Sequence, residues 1–326
     1  MKLDLPKQVL EVMDKLDEYG YSAYIHGECV RMLIGGQTLH RELTLFDFDL
    51  MTNAELPRIR AVFEDYNVIE DNLDRGELVV KVLGIAINIT SYINLEYSLV
   101  EKYAFTFDAF AYSNKKGFFD PFDGLSALEN GEIRWLCWTN SKHQIFKRAE
   151  LEKILLCRNI KEILSEYRDI FIEVIPEFRM LMSTLPSLSD LDLLAHSFKA
   201  VGISSPILTL RYALLFYELG KSDCHSHNPQ NTDKSDCFYG HAERAAIYAY
   251  RIMTSLECLP EIIEETCDII RNYQKVLDIT EENLQDLRDE YPVLLKLLLL
   301  FNCADARARG EEKQGMKFKK LSKLIN

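Results

Sequence analysis

Two aspartates in the stretch LTLFDFDLMT, Asp47 and Asp49, are the residues whose types and spacing point most directly to chemistry. Acidic and large apolar residues alternate there at the period of a β-strand, so both carboxylates are predicted to project from one face. Two carboxylates held that close can share a divalent metal such as Mg²⁺. The same alternation is typical of a half-buried strand with one solvent-facing side, and both interpretations stay open.

A second set of metal-type ligands lies in the polar segment 222–240, which is too rich in turn-forming residues for a helix. Histidine and cysteine side chains on such a loop can bind zinc. Their spacing matches no standard zinc motif, so a solvated loop without metal is the simpler interpretation. The residues concerned are Cys224, His225, His227 and Cys237.

The composition restricts the class of protein. The 326 residues are 48% hydrophobic and 27% charged, as in ordinary globular chains, and no apolar run predicts a membrane span. The eight cysteines show no paired spacing, which is typical of free thiols in a reducing compartment, so we expect a cytoplasmic protein. A net charge of −13 argues against a surface that grips nucleic acid throughout, and neither DNA nor a membrane is an expected partner.

The end of the sequence has a different charge balance. From Arg307 to Asn326 there are seven basic residues against two acidic ones. Such a segment could contact phosphate groups, and it is equally typical of a solvated helix end with a frayed terminus.

The elements that must position Asp47 and Asp49 can be predicted from periodicity. Strands are predicted at 21–26 and 43–52, with a short helix from Cys29 to Ile34 between them. The Gly-Gly pair that follows this helix is expected to end it.

Farther along the chain, a hairpin is predicted over 77–93 with its turn at Gly84. From about residue 142 onward the period of helices dominates, beginning with a long helix over 145–168. The chain is therefore predicted to have an α/β head followed by an all-helical part, which is an α+β protein.

Several short motifs, taken in order, resemble one known family. A strand runs into Gly-x-Cys-Val-Arg, a later strand carries Asp-x-Asp, and then come FTFDAFAYS, GFFDPFDGLSALENGEIRW, LLFYELGK and FYGHAE. Along most of its length the chain resembles the class II tRNA nucleotidyltransferases, which are the CCA-adding enzymes and bacterial poly(A) polymerases. The resemblance implies a polymerase-β-like nucleotidyltransferase head with a mixed sheet over 1–140, a helical neck over 141–195 and a helical HD-like body over 196–326, with the family's tail absent or shortened.

For the head, the resemblance implies metal-dependent transfer of a nucleotide from an NTP to an RNA 3′ end. Asp47 and Asp49 match the metal-binding catalytic pair, which implies Mg²⁺ as cofactor, ATP or CTP as substrate and a tRNA 3′ end as partner. The nucleotide-binding positions carried over by the resemblance are Gly27, Arg31, Lys102, Arg148 and Arg158.

Other positions depart from the family pattern, mostly where the family has charged or chemically active groups. A carboxylate replaces the second glycine of the phosphate-binding turn, where negative charge opposes a triphosphate. A supporting acid and an arginine pair are altered after the hairpin, and the acid and arginine that read the base are missing from the neck. The departures are Glu28, Asn88, Lys102, Tyr103, Ala104, Ala149 and Glu152.

The helical body resembles HD-type hydrolases, in which histidine and aspartate side chains hold two metals around a hydrolytic water. His196 matches the first ligand and Asp305 the last, but the central His-Asp pair is Tyr217-Glu218 in this sequence. His241 matches a further family position, where a histidine at a helix start is also a common structural residue. The HD-like set, His196, Glu218, His241 and Asp305, is therefore predicted to be degenerate.

Three functions are consistent with these motifs. The first is nucleotidyl transfer of the family's kind with a degraded site and weak, altered or absent activity. The second is a catalytically dead relative that binds RNA or nucleotide or acts in regulation. The third, less favoured, is an HD-type phosphohydrolase that releases phosphate with a bound metal.

Overall fold

Two units make up the structure, a computed structural model of the chain. It describes residues 1–38, 45, 47–72, 77–136, 148–182, 192–222 and 240–325. The first unit is Met1–Lys142 and the second is His143–Asn326, and each is described by itself.

The first unit contains a seven-stranded mixed sheet, whose strands are β1 (Ala23–His26), β2 (Asp47–Thr52), β3 (Asn67–Asn72), β4 (Glu77–Val82), β5 (Ile85–Ser91), β6 (Ala111–Ser113) and β7 (Gly117–Phe119). Their order across the sheet is β3-β4-β5-β2-β1-β6-β7. β2 runs parallel to β5 and antiparallel to β1, so it is a central strand with neighbours on both sides. The predicted strand with the aspartate pair thus lies in the middle of the sheet.

The hairpin between β4 and β5 confirms the prediction made from its sequence. Leu83 and Gly84 both have positive φ angles, 46° and 93°, as a two-residue turn that matches the twist of the strands requires. Leu78, Val80 and Val82 alternate along β4 and are all buried, which fixes the register of the hairpin against the core.

The described helices of the first unit are α1 (Lys7–Glu18), α2 (Glu28–Thr38), α3 (Leu56–Val62), α4 (Leu95–Lys102) and α5 (Gly124–Asn130). The prediction that the Gly-Gly pair ends α2 is wrong, because the helix continues through Gly35 and Gly36. Each helical glycine weakens a helix by about 1 kcal/mol relative to alanine. Here Ile34 and Gly36 are buried, and packing of this turn outweighs the low helix propensity of the pair.

In the second unit, the predicted all-helical architecture is confirmed over the described ranges. Its α-helices are α6 (Arg148–Leu156), α7 (Ile160–Glu166), α8 (Arg168–Val174), α9 (Phe178–Met182), α10 (Leu193–Ile203), α11 (Leu208–Phe216), α12 (His241–Ser255), α13 (Pro260–Asn272), α14 (Leu284–Glu290), α15 (Leu295–Ala308) and α16 (Glu312–Ser322). Among the helices that the structure describes, none is long and apolar enough to span a membrane.

The single long helix predicted over 145–168 is wrong, because α6 and α7 are separate. Arg211 on α11 explains the break. Its guanidinium donates hydrogen bonds to the carbonyl oxygens of Leu155 and, at 3.2 Å, of Cys157. A carbonyl at a helix end has lost its partner within the helix and needs another donor, which Arg211 supplies.

The basic end of the sequence forms an ordered helix, α16, rather than a frayed terminus. Its Phe318 and Leu321 are buried, whereas Lys313, Lys319 and Lys320 are exposed. The apolar face of the helix therefore holds it in the core of the second unit, and the lysines remain on the surface.

Candidate active site

A cavity of about 440 Å³ lies in the first unit beside the aspartate pair. Its wall is formed by the first turns of α2 and by β2, β4 and β5, with Leu45. The lining residues that carry polar groups are Glu28, Cys29, Asp47, Asp49 and Asn88. Three of these are carboxylates, and among the described residues that line the cavity there is no lysine or arginine.

β2 places its two aspartates on the cavity wall by simple alternation. Phe48 and Leu50 are buried in the core, whereas Asp47 is exposed and Asp49 is half-buried. In the parallel pairing with β5, Asp49 lies opposite Asn88, and the Asn88 amide donates a hydrogen bond to Asp49 Oδ1 at 3.2 Å. The central strand therefore holds both carboxylates at one cavity.

The donor atoms of this wall suit a hard divalent cation. Asn88 Oδ1 is buried and has no hydrogen-bond partner among the described residues, and Asn88 lines the same cavity as the two aspartates. Oxygen atoms of this kind are the ligands that Mg²⁺ prefers. Burial raises the pKa of the Cys29 thiol to about 12, so this side chain stays neutral beside the carboxylates. Asp47, Asp49 and Asn88 therefore fit Mg²⁺.

Arg31, predicted to bind nucleotide, is held from two sides by acids. Its Nε lies 2.9 Å from Asp108 Oδ1 and its second terminal nitrogen lies 2.7 Å from Glu28 Oε1. The Asp108 side chain is 8% exposed, whereas that of Glu28 is 68% exposed. An exposed ion pair contributes only about 0–1 kcal/mol, so Glu28 is the partner that Arg31 can exchange for a phosphate group.

Tyr103 packs directly on the turn at Gly27. Gly27 has φ of 74°, and a Cβ atom added there would lie 2.0 Å from the Tyr103 hydroxyl oxygen. The same hydroxyl is 2.6 Å from His26 Nδ1 in a shared hydrogen bond. Burial, and then the charge of Asp49, raise the pKa of Tyr103, so the phenol keeps its proton. The space above the glycine turn is therefore filled by a neutral tyrosine.

We expect the unfolding free energy of the first unit to fall as the pH drops below about 6.5. Burial, and then the charge of Lys102, hold the pKa of His26 well below its ordinary value of 6.5. Below pH 6.5 the unfolded state takes up a proton that the folded state does not, so the loss approaches about 1.4 kcal/mol per pH unit until the lower pKa is reached. Urea unfolding followed by tryptophan fluorescence measures this, since Trp135 and Trp138, the two tryptophans of the chain, both lie within Met1–Lys142.

The control for this pH dependence is His26→Gln, which removes the titrating ring and keeps a polar side chain. Its unfolding free energy should vary less with pH below 6.5 than that of the wild type. Equal slopes in the two proteins would contradict the assignment to His26.

The other predicted nucleotide-binding residues lie elsewhere. Lys102 ends α4, is exposed and is not among the residues that line the cavity. Arg148 and Arg158 belong to the second unit. There Arg148 donates to the Glu257 carbonyl oxygen at 2.7 Å, and Arg158 is exposed between α6 and α7.

In the second unit, three of the four HD-like residues come together. His196 on α10, Glu218 in the 3₁₀-helix Tyr217–Lys221 and Asp305 on α15 each present one ligand-type atom, and these atoms lie within 4.8 Å of one another. All three residues are buried. His241 is hydrogen-bonded elsewhere, with its Nε2 2.7 Å from the Tyr273 hydroxyl.

The buried cluster is also an ion-pair network. Asp305 Oδ1 lies 3.0 Å from His196 Nε2 and accepts a 2.6 Å hydrogen bond from the Tyr217 hydroxyl, while Asp305 Oδ2 lies 2.7 Å from Arg309. Burial alone would raise the pKa of Asp305. The hydrogen bond to His196, the charge of Arg309 and the hydrogen bond from Tyr217 outweigh burial and hold that pKa below its ordinary value.

Several residues of the cavity region and of the buried cluster were not predicted from the sequence. Arg309 and Lys221 follow Asp305 and Glu218 by four and three residues, spacings at which helical side chains meet, so these pairs could have been predicted. The ion pair of Arg31 with Asp108 joins residues that are 77 positions apart, so no local sequence pattern predicts it. The zinc candidates Cys224, His225, His227 and Cys237 lie outside the described residues, and the interpretation of this loop as free of metal stays a prediction.

Comparison with curated proteins finds relatives named CCA-adding enzyme. The enzyme of Ligilactobacillus salivarius (strain UCC118) is 27% identical over 145 residues, which cover 39% of this chain and 34% of that enzyme. The enzyme of Leuconostoc mesenteroides subsp. mesenteroides is 25% identical over 150 residues, covering 40% of this chain and 35% of the relative. The matches thus span about a third of the length of these curated relatives. No family model matches the chain.

Comparison with solved structures also finds CCA-adding enzymes. The Bacillus stearothermophilus CCA-adding enzyme in complex with CTP aligns over 97% of this chain and 81% of its own, with a TM-score of 0.41 and 18% identity. The Thermotoga maritima CCA-adding enzyme complexed with tRNA aligns over 98% of this chain and 83% of its own, with a TM-score of 0.43 and 16% identity.

The fold class and the sequence matches agree with the predictions made from the sequence. The α+β class predicted from the sequence is confirmed by the mixed sheet of the first unit and the helices of the second. The curated relatives carry the family name that the motifs predicted. Over about 40% of its length the chain is therefore similar to the CCA-adding enzymes, the family that its motifs resemble.

Proposed function

We propose that the first unit binds a nucleoside triphosphate with Mg²⁺ and transfers its nucleotide slowly to an RNA 3′ end. The observation that carries this proposal is the placement of Asp47, Asp49 and Asn88 on one cavity wall. The family of the curated relatives supports RNA and nucleotide as the partners. ATP and CTP are the proposed substrates, and the tRNA 3′ end is the proposed acceptor.

In this proposal, Asp47 and Asp49 hold Mg²⁺, which would lower the charge of the triphosphate and the barrier to attack by a 3′-hydroxyl. Asn88 donates to Asp49 Oδ1 and thereby orients that carboxylate toward the ion. It brings no negative charge of its own, so two carboxylates rather than three balance the metal. Transfer with this donor set is expected to be slow.

The negative charges on the wall of this cavity would repel the phosphate groups of a bound nucleotide. Glu28 is a third negative charge on its wall, and no cationic side chain is found among the described lining residues. Arg31 is the cation nearest in sequence to Glu28 and is paired with it at 2.7 Å. Binding of a triphosphate is therefore proposed to exchange Glu28 for phosphate on the Arg31 guanidinium, which forms strong bidentate contacts with phosphate oxygens.

Incorporation of radiolabelled ATP or CTP into tRNA that lacks its CCA end tests this proposal. We expect slow incorporation with MgCl₂ that EDTA abolishes. Absence of incorporation over hours, together with absence of Mg²⁺-dependent ATP binding in equilibrium dialysis, would overturn it.

A second candidate function is nucleotide or RNA binding without turnover. Two contacts favour it, because both involve residues that the family resemblance assigns to phosphate binding. Tyr103 packs on Gly27, and Arg31 is paired with Glu28. In the same two assays, this candidate gives Mg²⁺-dependent binding with no incorporation. The assays therefore separate the two functions.

We expect Glu28→Gln to tighten binding of Mg²⁺–ATP by roughly tenfold, equivalent to about 1.4 kcal/mol. The substitution removes a negative charge from the cavity wall and releases Arg31 from its exposed partner. Isothermal titration calorimetry of wild type and variant measures the change. The matched control is Glu64→Gln, at an exposed glutamate after α3, and an equal effect of the two substitutions would contradict the role given to Glu28.

The remaining predictions about the chain stay proposals of the same kind. These are the division of the helical part into a neck over 141–195 and an HD-like body over 196–326, the cytoplasmic location, and the nucleotide-binding roles of Gly27, Lys102, Arg148 and Arg158.

A further inference from the structure

The buried cluster of the second unit occupies the place where the HD-like resemblance implies a metal site. Its possible ligands are His196, Glu218 and Asp305, from three different helical elements. A metal site needs a free lone pair from each ligand, directed at one shared point. The protonation and the partners of these atoms decide whether they can supply it.

Both carboxylate oxygens of Asp305 already have partners. Its Oδ1 is already shared by His196 Nε2 and the Tyr217 hydroxyl, and its Oδ2 is paired with Arg309 at 2.7 Å. A metal bound to Asp305 would have to displace a hydrogen-bond donor or the guanidinium from the carboxylate.

His196 presents a proton rather than a lone pair to the cluster. Asp305 Oδ1 accepts a hydrogen bond from the Tyr217 hydroxyl and Oδ2 is paired with the Arg309 guanidinium, so both oxygens of this carboxylate act as acceptors. His196 Nε2, at 3.0 Å from Asp305 Oδ1, must therefore be the N–H donor of that hydrogen bond. A metal ligand would need the same nitrogen unprotonated.

Glu218 is neutralised within its own helical turn. Its side chain is 1% exposed, and its Oε2 lies 2.6 Å from Lys221 Nζ. Lys221 is 20% exposed, so its ammonium lies between the buried carboxylate and the surface. The two carboxylates of the cluster thus face two cationic side chains, Lys221 and Arg309, and a divalent ion would add uncompensated positive charge to a buried site.

We propose that Lys221 and Arg309 are the built-in cations of this cluster and take the place of a metal. The ammonium of Lys221 neutralises Glu218, the guanidinium of Arg309 neutralises Asp305, and His196 and Tyr217 complete the hydrogen bonds. The cluster then ties α10, α15 and the 3₁₀-helix Tyr217–Lys221 together without metal and offers no place for a metal-activated water. The residues do not fit the hydrolytic metal centre that the resemblance implies, and this conclusion does not depend on the function proposed for the first unit.

The test compares full-length wild type with the double variant Lys221→Met/Arg309→Met, which removes both cations of the cluster. After dialysis against MnCl₂, the bound manganese is measured by mass spectrometry. Mn²⁺ is used because it prefers carboxylate ligands to cysteine thiolates. We expect the double variant to hold about one more Mn²⁺ per chain than wild type, because Glu218 and Asp305 then lack their cations. Its thermal midpoint should rise by roughly 5 to 10 °C with Mn²⁺ a hundredfold above its dissociation constant.

Two further variants make the result specific. The charge-conserving double variant Lys221→Arg/Arg309→Lys should gain no metal, and His196→Ala added to Lys221→Met/Arg309→Met should remove the additional Mn²⁺. Wild-type protein gives a test of its own if Lys221→Met/Arg309→Met does not fold, because its metal content should not change on His196→Ala. Loss of bound Mn²⁺ from wild type on His196→Ala, or a folded Lys221→Met/Arg309→Met that gains no metal, would overturn the proposal.

Discussion

Replacing Asp49 by asparagine is expected to weaken Mg²⁺-dependent nucleotide binding and to slow any incorporation by at least about 100-fold. Asp49 lies on the central strand, half-buried, with Asn88 donating to its Oδ1 at 3.2 Å. Asparagine keeps the shape of the side chain but removes one of the two charges that would hold the metal. Since no lysine or arginine is found among the described residues that line the cavity, no other side chain there compensates for a lost metal.

Calorimetric titration of Mg²⁺–ATP and the incorporation assay measure the effect of Asp49→Asn, and Asp47→Asn should behave in the same way. The matched control is Asp65→Asn, which makes the same chemical change at an exposed position after α3. Tryptophan fluorescence checks that each variant keeps the fold of the first unit, because both tryptophans lie in it. Binding that persists at wild-type strength in both Asp47→Asn and Asp49→Asn would contradict a metal role for the pair.

The sheet around the aspartate pair could be predicted because its signals are local. Alternation placed Phe48 and Leu50 in the core and the two aspartates on the other face, as the burial of these residues confirms. The turn of the hairpin followed from Gly84 in the same way. In each case the pattern is set by residues within a few positions of one another, so a single sequence contains it.

Errors arose where a distant part of the chain decides the local structure. Propensity predicted a helix stop at Gly35-Gly36, but burial of that turn of α2 prevails. Periodicity predicted one helix over 145–168, but Arg211, more than fifty residues away, holds the carbonyl groups at a break. Neither packing partner can be read from the affected segment itself.

In the candidate sites, too, local features could be predicted from the sequence and contacts between distant residues could not. The family resemblance and the spacing of residues identified Asp47, Asp49, His196 and Asp305 as candidate metal ligands. Their electrostatic setting depends on contacts between residues far apart in sequence, such as His26 with Tyr103 and His196 with Asp305. A sequence pattern gives the identity of a ligand-type residue, whereas its protonation and its partners come from the fold.

Asp305→Ala is expected to lower the unfolding free energy of the chain by about 3 to 5 kcal/mol. The carboxylate accepts hydrogen bonds from His196 and Tyr217, both buried, and its removal leaves those two donors without an acceptor. Arg309 is 42% exposed and can turn toward water, so the loss arises mainly from the two buried donors. Burial is the largest cause that raises the pKa of Tyr217 and it persists in the variant, so this phenol keeps its proton without an acceptor.

Urea unfolding followed by circular dichroism measures the change, with Asp286→Ala as the matched control at an exposed aspartate of α14. The pH dependence gives a second measurement. Because the folded pKa of Asp305 is lowered from 3.8, its stabilisation is present above that pH and is lost as the pH falls through the lower folded value. Asp305→Ala should therefore lose less stability than wild type as the pH falls below about 3.8. A variant no less stable than Asp286→Ala, with an unchanged acid profile, would show that the cluster does not hold the second unit together.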